Sequence, residues 1–197
     1  MRPRRQTAGG ASGQAEHLPL AAVARVVPNE GGGDCFYHAL HGALTEQFHP
    51  KALHGPGSLR EIVQKACAKT RTGNIKLMSG VTLVNFLKEK NMTLADLARR
   101  TTLAGKPGWA GIAEAAVLAE ELPISIEIWQ HSGRRSVSGY DALAKVHPRS
   151  GPTVKCARLK YNGRDHYEQM VLQVLGAPAP APGATAAQPR PALPSPS

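Results

Sequence analysis

The feature that most constrains this chain is a change of hydrophobic period part-way along it. Up to Leu122 the apolar residues recur at helical spacing; beyond Pro123 they alternate as strands do. Phe36, Ala39, Leu40, Ala43 and Leu44 make one apolar stripe, so a helix follows the turn Glu30-Gly31-Gly32-Gly33-Asp34. Ser58 is placed to cap a helix over 59–70, with Glu61 at its third position. Residues 82–90 and 93–100 read as two short helices around Asn91. A longer helix over 109–122 turns Ile112, Ala116, Ala119 and Leu122 inward. Pro123 ends it, and 124–129 alternates as a half-buried strand. Residues 154–159 and 167–174 alternate loosely on either side of Asn162-Gly163, a hairpin signal. Helices first and strands late predict an α+β domain, with a small, mostly antiparallel sheet packed between helices.

The 197 residues suit one domain with tails, and 42% apolar content suffices for a core. Residues 1–21 are rich in Arg, Gly, Ser and Gln, and 176–197 in Pro and Ala. Such segments bury too little apolar surface to offset their ordering entropy, so both are expected as disordered tails around a domain at 22–175. The apolar stretch 18–27 is interrupted by Pro19 and Arg25, and a polar linker separates it from Arg2-Pro3-Arg4-Arg5. It reads as a lead-in strand or loop, not a leader, and no run reaches the ~20 apolar residues of a membrane span.

The net charge is +10, but Arg2, Arg4, Arg5 and Arg190 lie in the tails. Basic residues are neither interleaved with aromatics nor gathered on one helix, which disfavours nucleic acid as the main partner. Three cysteines without CxxC spacing argue against a disulfide framework and for a reducing compartment. Cys67 and Cys156 read as packed thiols. Cys35, His38 and His41 diverge on a helix of about 3.6 residues per turn, so they do not make a metal set, and no cofactor is implied.

Cys35 is different because of where it sits. A glycine turn runs into a helix N-terminus there, and unpaired backbone N–H groups at that end favour a thiolate. Glycines before it let the backbone N–H groups of Gly32, Gly33 and Cys35 turn inward as an oxyanion hole. Late in the chain His166 opens a strand, and Glu168 projects from the same face two residues on. Nucleophile, base and orienter are thereby in principle available.

These segments resemble a known family. Gly31-Gly32-Gly33-Asp34-Cys35-Phe36-Tyr37-His38-Ala39-Leu40 is similar to the Asp-Gly-Asn-Cys-Leu-Phe-Arg-Ala-Leu nucleophile motif of OTU (ovarian tumour) deubiquitinases. Trp109-Ala110-Gly111, Glu114 and the strand Ile126 to Ile128 resemble the family's middle segment. Arg158 through Glu168 resembles its closing strand and His-Tyr hairpin. The resemblance implies a papain-like OTU fold, Cys35 as nucleophile, His166 as base, and ubiquitin or a ubiquitin-like modifier as partner. It implies a monomeric enzyme of the cytoplasm, or of the host cytoplasm for a delivered effector. Two positions depart from the family. Gly32 stands where many members have aspartate, and Glu168 where others have Asp or Asn. Glu168 is the expected third member, with Asp34 as a second candidate that is equally suited to cap the helix. Two other readings compete: another papain-like thiol hydrolase or acyltransferase, and a weakly catalytic ubiquitin-binding module.

Overall fold

Helix gives way to strand where the hydrophobic period changes. The computed structural model describes residues 22–29, 33–48, 53–77, 80–103, 110–131, 139–153 and 155–174. The expected tails lie outside the described residues, as do Gly31, Gly32 and Trp109. In chain order come β1 (Ala22–Val27), α1 (Cys35–Phe48), α2 (Pro56–Cys67), a 3₁₀ turn (Thr70–Asn74), α3 (Leu83–Glu89), α4 (Leu94–Arg100) and α5 (Ile112–Glu121). They are followed by β2 (Ser125–His131), β3 (Tyr140–Val146), β4 (Cys156–Tyr161) and β5 (Tyr167–Val174).

The α+β class expected from the period change is the one found. The five strands form a single sheet in the order β1-β5-β4-β2-β3. β1 pairs antiparallel with β5, β5 with β4, and β2 with β3, while β2 and β4 run parallel. The lead-in segment is therefore the edge strand β1. The opposite edge strand β3 was not expected from the sequence. Its register slips at Ile128/Trp129 and leaves Leu143 exposed, which blurs the alternation that marks a strand.

Local chemistry sets the helix starts. α2 begins at Pro56, three residues before the expected start, because the fixed φ of proline suits the first helical position. Ser58 caps nothing there; its Oγ accepts the His54 N–H at 3.1 Å. Thr93 and Asp96 form a reciprocal capping box on α4. Asn91 takes a left-handed φ of 53°, turning the chain between α3 and α4. At α5, Glu114 Oε2 accepts the Gly111 N–H at 2.8 Å.

The helical stripe does pack as expected. Phe36, Leu40, Ala43 and Leu44 of α1 meet Ile126, Ile128, Ala157 and Leu159 of the sheet in one buried cluster. Truncating a fully buried leucine such as Leu40 costs roughly 2–5 kcal/mol. α5 is almost wholly buried against the same cluster. On the other face of the sheet a second small cluster joins Trp129 and Met170 with Tyr140, Ala142 and Leu172. Burial pushes the Glu114 carboxyl above its ordinary range, opposed by Arg100 at 3.7 Å and the Gly111 N–H. No helix among the described residues is long and apolar enough to cross a membrane.

Candidate active site

The site begins at a glycine. Gly33 is buried and has φ of 96°, a conformation open to glycine at little cost, and it delivers the chain into α1. Asp34 takes the N-cap place: its carbonyl accepts the His38 N–H at 2.9 Å. Its carboxylate reaches away from the helix and pairs with Arg60 of α2. Arg60 also donates to the Thr101 carbonyl at 3.0 Å and lies 4.4 Å over the Tyr37 ring. Cys35 is the first residue of α1 and is 3% exposed.

The base side is built by a loop. β4 and β5 are antiparallel and joined by residues 162–166, with Gly163 at φ 84°. Asn162 Oδ1 accepts three backbone N–H groups: Arg164 at 2.9 Å, Asp165 at 2.9 Å and His166 at 3.0 Å. The Asn162 N–H in turn donates to the His166 carbonyl at 3.0 Å. One asparagine thus organises the whole loop. His166 is half-buried immediately before β5.

These two sides meet at sulfur. The Tyr167 N–H points to Cys35 Sγ at 3.4 Å, and the thiol donates to the Asp165 carbonyl at 3.7 Å. The two chain neighbours of His166 therefore bracket the Cys35 sulfur across 130 residues of sequence. The two contacts have opposite senses. An N–H aimed at sulfur favours thiolate, whereas a carbonyl accepting S–H favours thiol. Among the described residues the His166 ring makes no hydrogen bond. Glu168 Oε2 is held at 2.7 Å by Lys160, its cross-strand partner.

A cavity of about 70 Å³ opens beside the sulfur, lined by Gly33, Cys35, Phe36, Ala110, Tyr161, Arg164, Asp165 and Tyr167. Phe36 and Tyr167 meet edge to face at 5.3 Å, and Tyr167 stacks near Tyr161 at 4.8 Å. Burial pushes the Tyr167 hydroxyl well above the usual tyrosine range, so it stays protonated. A larger cavity of about 880 Å³ lies elsewhere, beside Lys76, Lys145, His147 and Arg149, and no cysteine, serine or threonine among the described residues lines it.

Cys35, Gly33, Asp34 and His166 are thus gathered at one place, while Gly32 lies outside the described residues. His38 is exposed, and His41 Nε2 sits 3.4 Å from the Leu53 carbonyl. Cys67 and Cys156 are remote packed thiols, pushed up to about 11 and about 12 by burial. Two residues here went unnoticed in the sequence, Asn29 and Arg60, and the role of a third, Asn162, went unread. Asn29 Nδ2 donates to the Cys35 carbonyl at 3.1 Å and to the Tyr167 carbonyl at 2.9 Å. Asn162 was visible only as half of a turn signal. Asn29 and Arg60 gave no signal, since their partners are distant in sequence.

No family model and no curated protein matches the chain. Solved structures do. The OTU of Hazara virus bound to ubiquitin is 20% identical and covers 81% of this chain and 87% of that one, with a TM-score of 0.56. The viral OTU domain protease of Dera Ghazi Khan virus is 19% identical over 76% of this chain and 81% of that one, with a TM-score of 0.52. An OTU domain in complex with ubiquitin is 15% identical over 80% of each, with a TM-score of 0.51. The chain has the OTU fold.

Proposed function

We propose that this OTU-fold chain is a thiol-dependent isopeptidase, a deubiquitinase acting after the C-terminal glycine of ubiquitin or a ubiquitin-like modifier. One observation carries the reading: backbone atoms on both sides of His166 contact the sulfur of a cysteine at a helix N-terminus. That arrangement supports His166 as the base for Cys35, with the Tyr167 N–H as a donor to the sulfur. The narrow cavity beside Cys35 suits a glycine tail, and two structures of the same fold are bound to ubiquitin.

In the first half-reaction His166 takes the Cys35 proton, and sulfur adds to the carbonyl carbon of the terminal glycine. The backbone N–H groups of Gly33 and Cys35 are the proposed donors to the resulting oxyanion. The C–N bond then breaks, the imidazolium returns the proton to the leaving amine, and a thioester remains. In the second, His166 activates water, which adds to the thioester; the carboxylic acid leaves and Cys35 regains its proton. Glu168 is the proposed orienter of the imidazole. Its Oε2 pairs with Lys160, which leaves Oε1 for the ring. The partner is ubiquitin or a relative of it, and the cytoplasm is the place of action.

The test is release of a fluorophore joined by an amide to the C-terminus of ubiquitin, beside the same fluorophore on a Gly-Gly dipeptide. Turnover of the ubiquitin substrate that vanishes in Cys35→Ala supports the reading. Turnover of the short amide alone moves the chain to another class of thiol hydrolase. Stable binding of ubiquitin without any turnover makes it a binding module.

A further inference from the structure

The contacts around Cys35 close into a ring that no catalytic role yet assigned explains. Tyr167 donates its N–H to Cys35 Sγ at 3.4 Å, and its carbonyl accepts from Asn29 Nδ2 at 2.9 Å. The same Nδ2 donates to the Cys35 carbonyl at 3.1 Å. The ring therefore runs from the sulfur through the Tyr167 peptide and the Asn29 amide to the Cys35 backbone. It joins the helix that carries the nucleophile to the strand that follows the base, from a third element just past β1.

The chemistry of the amide is determined by its partners. Both groups facing it are carbonyl oxygens, so the atom between them is the nitrogen, and its two hydrogens are both engaged. The amide oxygen is buried without a hydrogen-bond partner among the described residues. A residue selected for packing alone would avoid that desolvation cost. An aliphatic residue would do so, but it would leave the Cys35 and Tyr167 carbonyls untethered. The near-isosteric polar substitutes fit less well. Aspartate presents oxygen to two oxygens, and serine has one hydrogen for two acceptors.

We propose that Asn29 is a positioning residue that sets the separation between the Cys35 sulfur and the strand start carrying His166. This rests on the isopeptidase reading for its consequence in turnover, but not for its consequence in thiol reactivity. Asn29 touches neither substrate nor sulfur, so it acts through the two carbonyls. Losing the clip lets α1 and β5 shift against each other, and the Tyr167 N–H loses its aim at sulfur. Misplacement of reacting groups by about 1 Å lowers turnover by about 100-fold without a matching change in substrate binding.

The experiment uses the full chain and two readouts on Asn29→Ala, Asn29→Ser and Asn29→Asp. The first is the rate of Cys35 alkylation by iodoacetamide, followed by peptide mass mapping from pH 5 to 9 with no substrate present. The second is kcat and KM on the ubiquitin C-terminal amide. The expected order is wild type, then Ser, then Ala, then Asp. In the alanine variant kcat falls by about 100-fold with KM within about threefold. Cys35 alkylation at neutral pH slows by about tenfold, a factor that one or two ordinary hydrogen bonds supply. Cys67 and Cys156 keep their wild-type protection, which shows that the fold is intact. Should the alanine variant unfold, the serine variant, which retains one donor, carries the same comparison. A folded variant with wild-type alkylation and kcat overturns the proposal. So does a loss confined to KM. A wild-type chain inert to the ubiquitin amide removes the isopeptidase reading alone, because the alkylation order then still decides the role of Asn29.

Discussion

The two halves of the site are held in place by opposite means. On the base side the loop 162–166 is organised from within, by one Asn162 oxygen taking three N–H groups within four residues of itself. On the nucleophile side the start of α1 is held from far away. Asn29 ties Cys35 to Tyr167, and Arg60 of α2 holds Asp34 while reaching the Thr101 carbonyl. A loop of local contacts forms early and tolerates changes elsewhere; a helix start tied to three distant elements depends on the finished fold. The difference teaches that the base is presented by its own turn, while the nucleophile is presented by the whole domain.

The largest expected effect comes from removing the base itself. His166→Ala should lower kcat on the ubiquitin amide by roughly 10²–10⁴-fold, measured by steady-state kinetics. Asn162→Ala comes next. Three N–H groups lose their acceptor at once, so kcat should drop by about 100-fold through misplacement, while the thermal midpoint moves little because the loop is exposed. Equal losses of kcat and stability would erase the contrast between the two sides.

Arg60→Ala should show the reverse pattern. It strips a donor from the Thr101 carbonyl, a cation from the Tyr37 ring and the partner from Asp34. A stability loss of about 1–3 kcal/mol by chemical denaturation is expected, discounted for the partly exposed Asp34. Arg60→Lys should restore the charge but not the fork to Asp34 and Thr101, and recover only part of the loss. Glu168→Gln is a smaller change. If Glu168 orients the imidazole, kcat falls by about tenfold, while Lys160→Met, which removes only its part-buried ion-pair partner, stays within about twofold.

The smallest effect is on the alkaline side and comes mainly from thiols outside both halves. Burial raises the Cys67 thiol from an ordinary 9.0 to about 11, and Cys156 to about 12. Tyr37 and Tyr167 are also pushed up, chiefly by burial. Above pH 9 the unfolded chain loses thiol protons that the folded one keeps, so stability is full below that point and falls as pH rises towards 12. Thermal midpoints should decline over this window, and less steeply in Cys156→Ala.

How much of this the sequence discloses follows from the same contrast. The stripe of α1 and the bounds of β5 were legible because period and turn chemistry are local, while the pairing of Cys35 with the His166 turn, 130 residues apart, was legible only through the family resemblance. Ser58 misled because a proline two residues earlier claims the helix start. β3 was hidden by the register slip that exposes Leu143. Asn29 and Arg60 were illegible for a different reason: nothing near them in sequence says that their donors meet carbonyls or a carboxylate far along the chain. The third member of the site shows the limit of spacing arguments. Glu168 stands two residues after His166, yet its carboxylate pairs with Lys160 across the strand.

The central claim is that Cys35 is the nucleophile for a ubiquitin C-terminus. It is tested most directly with ubiquitin bearing an electrophile in place of its terminal glycine carboxylate, read by intact mass and peptide mapping. The account predicts a single covalent adduct on Cys35, absent from Cys35→Ala and slowed in His166→Ala. No adduct with the folded chain, or an adduct that forms on Cys67 or Cys156 instead, contradicts it.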